Sequence, residues 1–154
     1  MMSLQQISDR LEIQDRIARY SFAIDERDWD ALDEIFTPDA RIDYSETGGA
    51  AGSLAEIKRW LPLALERFPD FQHLAATTKL DLDENRATSR TILFNPMVHQ
   101  AEDGSRSVFF IGLWYRDRWV RTEAGWRISE RYEEMSWVKD PPPMAAVPAI
   151  PPPS

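Results

Sequence analysis

His73 and Asp25 are the residues of this chain best suited to proton transfer. The 154 residues include two histidines, His73 and His99, and no cysteine. Strand alternation would give His73 the apolar same-face neighbours Phe71 and Ala75, which would shelter its imidazole. A histidine base needs a partner that fixes its tautomer, and Asp25, which follows an apolar helical face, is the candidate. Two simpler interpretations stay open: a histidine held by one hydrogen bond, and a carboxylate in a solvated turn.

Further polar and aromatic side chains could complete such a site. The phenols of Tyr20 and Tyr44 could donate to an oxyanion or a leaving group. Asn95 places an amide in an apolar strand, where it could polarise a carbonyl or satisfy a bulge beside Pro96. Trp114, one of many late aromatics, is the predicted apolar contact for a substrate, although most such rings pack in a core or an interface.

Three other residues are predicted to lie outside the site. Arg90 and Arg131 could pair with internal carboxylates, but solvated strand faces are the favoured interpretation. His99, beside a polar turn, is expected to be exposed.

Composition excludes several classes of function. Lys and Arg number 18 against 26 Asp and Glu, a net charge of −8, which argues against nucleic-acid partners and anionic membrane surfaces. Without cysteine, disulfides, thiol nucleophiles and Cys-based zinc sites are excluded. The histidines lack metal-binding spacing and no glycine-rich phosphate loop occurs, so no metal and no cofactor is expected. The polar N-terminal segment lacks a signal-peptide core, which predicts a cytoplasmic location.

Periodicity predicts an α+β domain over residues 1–140. Three N-terminal helices are expected, at Ser3–Ala23, Trp29–Ile35 and Leu54–Arg67. The rest is β-rich, and short turns between its segments predict a mostly antiparallel, meandering sheet. The predicted strands cover residues 40–44, 72–82, 87–100, 106–121 and 126–138. Residues 141–154 hold seven of the eleven prolines and are predicted to be an extended tail, disordered or lying over a neighbouring subunit or a pocket mouth.

Several of these segments resemble the SnoaL-like family of the nuclear transport factor 2-like (cystatin-like) superfamily. The resemblance covers about residues 4–140, and is carried by Ile13-Gln14-Asp15, Tyr20, Asp25, Asp28-Trp29-Asp30, Arg41-Ile42-Asp43-Tyr44 and Gln72-His73. It implies three helices packed on a strongly curved sheet that forms a cone-shaped pocket.

Enzymes similar to this chain are the bile-acid 7α-dehydratases, scytalone dehydratase and lindane dehydrochlorinase. The resemblance implies Asp25, His73 and Tyr20 as catalytic residues and Tyr44 as a substrate-binding residue. Asn95 stands where the bile-acid enzymes have an aspartate, so hydrogen bonding is kept but the charge is lost.

The resulting prediction is a cofactor-independent lyase that performs a dehydratase-type elimination on a small hydrophobic cyclic molecule such as a steroid, terpenoid or polyketide. The alternatives are an isomerase like ketosteroid isomerase, and a non-catalytic binding or assembly module of the same fold. Family resemblance also implies a homo-oligomer, a trimer in preference to a dimer.

Overall fold

The computed structural model describes residues 1–143 and 146–153, which form two α-helices, two short 3₁₀ segments and seven strands. The helices are α1 (Leu4–Asp25) and α2 (Leu54–Ala64), and the 3₁₀ segments are Asp30–Glu34 and Ser45–Thr47. The strands are β1 (Phe36–Asp43), β2 (Ala51–Ser53), β3 (Asp70–Phe71), β4 (Leu74–Asp83), β5 (Arg86–Gln100), β6 (Arg106–Thr122) and β7 (Gly125–Lys139).

Side-chain caps fix where both α-helices begin. Ser3 accepts from the Gln6 backbone N–H while the Gln6 side chain accepts from the Ser3 N–H, and Ser53 and Glu56 form the same capping box for α2. Each box satisfies donors that the first helical turn leaves without partners.

The prediction of three helices is wrong for the described residues, because the segment predicted as a second helix is a 3₁₀ segment of five residues. Arg27 adopts a left-handed conformation (φ 58°), which ends α1, and β1 begins at Phe36. The few residues between these points cannot build the hydrogen-bonded turns that make an α-helix stable.

The strands form one strongly curled, mixed sheet in the order β2-β1-β7-β6-β5-β3, with β4 also paired to β5. The predicted hairpins are confirmed, since β4–β5, β5–β6 and β6–β7 are antiparallel neighbours. β1 lies between β2 and β7 and runs parallel to β7. The predicted meander did not include this pairing. The architecture is therefore α+β, as predicted, with one parallel pair.

The sheet encloses the core with its concave face, across which α1 packs. Ile13 and Ile17 of α1 meet Trp119, Trp126 and Ile128 of β6 and β7, and all five residues are buried. Among the described residues, the structure does not show the predicted cone-shaped pocket.

The described part of the proline-rich tail lies against α2. The Trp60 indole N–H donates to the Pro148 carbonyl at 3.0 Å, and Arg59 donates to the Pro151 carbonyl at 2.9 Å. Ile150, between these contacts, packs on the core. Among the described residues, no helix is long and apolar enough to cross a membrane.

Candidate active site

The structure brings His73 and Asp25 together as a hydrogen-bonded pair. His73 Nδ1 lies 2.7 Å from Asp25 Oδ1, and the His73 backbone N–H donates to Asp25 Oδ2 at 3.1 Å. The side chains of His73 and Asp25 are 11% and 24% exposed, so the pair is sheltered but reachable. With Nδ1–H donating to the carboxylate, Nε2 is left as the basic nitrogen of the imidazole.

A break in the strand ladder creates this arrangement. The sequence predicts one strand over residues 72–82, whereas Gln72 and His73 form a gap between β3 and β4. Opposite Gln72 stands Pro96, which has no N–H to return to the ladder, although its carbonyl accepts from the Gln72 N–H at 3.1 Å. His73 therefore lies outside the regular ladder, and its N–H is taken up by Asp25.

Asn95 supplies the hydrogen-bond donor that is missing at this break in the ladder. Its side-chain Nδ2 donates to the Gln72 carbonyl at 2.8 Å, which replaces the donor that Pro96 lacks. Asn95 is buried and holds the peptide that precedes His73. This contact corresponds to the alternative in which Asn95 satisfies an irregularity beside Pro96.

Tyr20 and Tyr44 form a second pair, deeper in the concave face. Their hydroxyls are 2.7 Å apart, and both residues are at most 4% exposed. Burial raises the pKa of Tyr20 and raises that of Tyr44 well above its usual value, so both are neutral phenols near pH 7. Two hydroxyls share one hydrogen bond, which leaves one hydroxyl hydrogen to donate elsewhere.

Arg131 pairs with an internal carboxylate, the less favoured of the two interpretations that the sequence left open. Its guanidinium donates to both oxygens of Asp117, at 2.7 and 2.8 Å, and both side chains are fully buried. The guanidinium also lies 4.0 Å from the ring centres of Tyr20 and Tyr115. The predicted solvated position for Arg131 is therefore wrong, whereas Arg90 is 46% exposed.

Tyr20, Tyr44, Tyr115, Asp117 and Arg131 together form the inner group of the concave face. Two of its buried atoms, Arg131 Nη1 and the Tyr115 hydroxyl, lack a partner among the described residues. Buried polar atoms in folded proteins are usually hydrogen-bonded, so these two atoms are available to a bound water or a polar ligand. The inner group thus offers a donor and a hydroxyl to an oxygen-bearing molecule.

Trp114 is not brought to either pair. Its neighbours Leu113 and Tyr115 point into the core, so alternation turns Trp114 to the opposite, convex face. There its ring lies 4.1 Å from the Arg90 guanidinium. His99 is half-buried rather than exposed, with its ring centre 6.0 Å from that of Phe68.

A groove of about 370 Å³ adjoins the His73–Asp25 pair. It is lined by Asp25, Pro69, Asp70, Phe71, Gln72, Pro96, Met97, Val98 and Val108. The lining is of mixed polarity, and Asp25 is the member of the pair that belongs to it. In the described part of the chain, no three His, Asp or Glu side chains come together in a way that could hold a metal ion.

Comparison with known proteins identifies a matching family and several solved structures with a similar fold. The sequence profile of the SnoaL-like domain matches residues 5–132. An uncharacterized protein of Mycobacterium tuberculosis is 47% identical over 139 residues, which cover 90% of this chain and 93% of that protein. The same figures apply to an uncharacterized protein of Mycobacterium bovis.

Three solved structures are similar in fold. A protein from Kribbella flavida has a TM-score of 0.78 at 24% identity, covering 86% of this chain and 94% of that one. A scytalone dehydratase candidate from Novosphingobium aromaticivorans has a TM-score of 0.81 at 18% identity, covering 96% and 97%. A hexachlorocyclohexane dehydrochlorinase from Novosphingobium barchaimii has a TM-score of 0.74 at 17% identity, covering 95% and 99%. At these identities the similarity establishes the fold alone.

Proposed function

The chain belongs to the family of SnoaL-like domains, as its sequence predicts, and we propose that it is a lyase that performs a dehydratase-type elimination on a small hydrophobic cyclic substrate. The observation that carries the proposal is the 2.7 Å contact between His73 Nδ1 and Asp25 Oδ1. The reaction as proposed uses only side chains of this chain and needs neither a metal nor an organic cofactor.

His73 is the proposed base and Asp25 the group that prepares it. Asp25 holds Nδ1–H, so Nε2 accepts the proton from a substrate carbon and the carboxylate stabilises the imidazolium that forms. The electrons of the broken C–H bond form the new double bond as the leaving group departs from the neighbouring carbon. A leaving hydroxyl takes up the proton held by the imidazolium and departs as water, which restores neutral His73. A positioned base of this kind contributes about 10²–10⁴-fold to the rate.

The inner group supplies the proposed contacts to oxygen. The Tyr20–Tyr44 pair has a hydroxyl hydrogen to spare, and Arg131 Nη1 is a second buried donor. One such donor to a developing negative charge contributes about 10²–10³-fold. The raised pKa values of the phenols favour hydrogen-bond donation over transfer of their protons.

The fold neighbours support elimination as the reaction class. One is a scytalone dehydratase candidate and another a hexachlorocyclohexane dehydrochlorinase, names that describe loss of water and loss of hydrogen chloride. Both reactions remove a proton and a leaving group from adjacent carbons. The apolar side chains in the groove beside Asp25, such as Phe71 and Met97, support a substrate with a hydrophobic part.

The contacts of Asp25 and Asn95 weigh against the isomerase alternative. An isomerase of that kind uses a carboxylate as its base, but both Asp25 oxygens are engaged by His73. Asn95 carries no charge and its amide is bonded to the Gln72 carbonyl.

Elimination can be tested on a panel of cyclic β-hydroxy ketones that includes steroid and aromatic members. Loss of water produces a conjugated enone, whose absorbance reports the rate. We expect turnover of at least one member and a loss of about 10²–10⁴-fold in kcat for His73→Gln. His99→Gln is the matched control, because it removes the other histidine without touching the pair. Equal rates for His73→Gln and the unaltered protein would refute the assignment.

A substrate-free measurement tests the geometry separately. Nitrogen-15 NMR of the two histidines reports which ring nitrogen carries the proton. We expect neutral His73 to be protonated at Nδ1, and Asp25→Asn to weaken that preference.

A binding experiment addresses the alternative of a non-catalytic module. Such a module would bind its ligand with the same affinity after His73→Ala, and equilibrium binding of an inert enone product measures that affinity.

A further inference from the structure

A partly buried carboxyl group on the concave face, Glu133 of β7, has no part in the chemistry above. Glu133 stands opposite Tyr115 in the β6–β7 ladder, so both side chains point to the same face. Its Oε2 lies 2.5 Å from the Thr47 hydroxyl, in the 3₁₀ segment Ser45–Thr47 that directly follows Tyr44. Glu133 thus connects β7 to the 3₁₀ segment that follows Tyr44, one of the two paired phenols.

The hydrogen atoms of this contact can be counted. Thr47 Oγ1 lies 2.9 Å from the Tyr44 carbonyl as well as 2.5 Å from Glu133 Oε2. A threonine hydroxyl has one hydrogen, and an ionised Glu133 would present only acceptors, so one contact would lack a hydrogen. If Glu133 carries a proton, it donates to Thr47 and Thr47 donates to the Tyr44 carbonyl, and both contacts are satisfied.

The surrounding charges favour the same state. Ionisable and phenolic groups reach this region from α1, from β1 and its end, from β6 and from β7: Tyr20, Asp43, Tyr44, Tyr115, Asp117 and Arg131. Arg131 is already neutralised by both oxygens of Asp117. An ionised Glu133 would therefore add an uncompensated negative charge to a poorly hydrated group, which is costly.

We propose that Glu133 is protonated below about pH 7 and that in this neutral state it positions Tyr44, by donating to Thr47 and through it to the Tyr44 carbonyl. In this state the inner group has no net charge, because Arg131 and Asp117 cancel. On the function proposed above, this neutrality selects an uncharged, oxygen-bearing substrate. Glu133 acts through Thr47 and is a positioning residue.

The direction of its titration agrees with this geometry. Burial raises the pKa of Glu133 from 4.5 to about 7, and the charge of Arg131 and a hydrogen bond donated by Thr47 to the carboxylate oppose this rise. In the protonated state Thr47 accepts instead, and that bond favours the neutral acid. The folded protein then binds this proton roughly 300-fold more tightly than the unfolded chain. The stability that depends on it is complete below pH 4.5 and is lost as the pH rises towards 7.

Carbon-13 NMR of labelled glutamate carboxyls tests the proposal without any substrate. We expect one glutamate to titrate with a midpoint near 7 and to be missing from Glu133→Gln. Glu134→Gln is the matched control, because that neighbour pairs with Arg90 and its removal should leave this signal in place. If every glutamate titrates below about pH 5.5, the proposal is overturned, whatever the protein does to the ketone panel.

Two variants test the positioning role. Glu133→Gln keeps a neutral group with a donor and should preserve the Tyr44 ring resonances, while its urea midpoint should lose the wild-type decline between pH 4.5 and 7. Thr47→Val removes the relay, so we expect the Glu133 midpoint and the Tyr44 resonances to shift. Unchanged Tyr44 resonances in Thr47→Val would refute positioning.

Discussion

Asp9 of α1 should contribute about 2 kcal/mol to stability at neutral pH, and acid should remove that contribution. Arg121 of β6 donates to both Asp9 oxygens, at 2.8 and 2.7 Å. The Trp126 indole N–H and the Gln5 amide donate to Oδ1, at 3.1 and 2.9 Å. The Asp9 side chain is 7% exposed, so these contacts fasten the start of α1 to the far end of the sheet with little competition from water.

The magnitude follows from the change in proton affinity. The hydrogen bond from Arg121, against a smaller opposing effect of burial, lowers the pKa of Asp9 from 3.8 to about 2. Each pKa unit corresponds to about 1.4 kcal/mol, so ionised Asp9 stabilises the fold by roughly 2 kcal/mol. Because the folded pKa is the lower one, this stability is present above pH 3.8 and declines as the pH falls towards 2.

Urea unfolding of Asp9→Asn and the unaltered protein, followed by circular dichroism from pH 7 to 2.5, measures the difference. We expect a gap of about 2 kcal/mol at pH 7 that narrows to less than about 1 kcal/mol at the acid end. Asp15→Asn on the same helix is the control, because its exposed pair with Arg19 should contribute under about 0.5 kcal/mol. A gap that stays constant with pH would refute the assignment to Asp9 ionisation.

Three further predictions concern packing. Arg131→Met should cost about 3–5 kcal/mol in urea unfolding because it leaves Asp117 buried without a partner, and adding Asp117→Leu should recover most of the loss. Gly112→Ala should displace the Trp137 ring, because that ring lies 2.2 Å from the position of the added Cβ. The ring is 46% exposed and can move, so we expect a loss of about 1 kcal/mol in stability, and a crystal structure of the variant checks the displacement. Truncation after residue 140 should speed exchange of the Trp60 indole N–H, measured by NMR, because it removes the Pro148 carbonyl.

The helices and hairpins were predictable because their signals are local. Ser3 and Ser53 mark where α1 and α2 begin, and acidic or glycine-containing turns separate the long strands. The observed bounds of these elements therefore differ from the predicted bounds by only a few residues. The parallel β1–β7 pairing joins segments that are distant in the chain and leaves no local pattern. The centre of the concave face depends on this contact between distant segments, which is why it was the least predictable part.

Arg131 was missed for a related reason. Trp126 and Ile128 of β7 face the core, and strict alternation from them would turn Arg131 to solvent. An irregularity opposite Arg118 and Trp119 shifts the register by one residue, and the face that points inward changes after Ile128. A one-residue shift of this kind cannot be read from the types of the residues. The sequence offered an internal carboxylate partner for Arg90 and Arg131 alike, and only the structure shows that Arg131 is the buried one and that Asp117 is its partner.

The His73–Asp25 pair shows how a backbone irregularity can prepare a side chain. Pro96 withholds one hydrogen bond from the ladder, and Asn95 supplies it from its side chain. The exchange leaves Gln72 fixed and the His73 N–H directed to Asp25, so the carboxylate holds both the backbone and the ring of the same residue. Two contacts to one residue restrict the imidazole far more than a single hydrogen bond would, which is the preorganisation that a general base requires. Asn95 thus stabilises the site by completing the backbone before His73, and its uncharged amide suits that task because it must donate to a carbonyl.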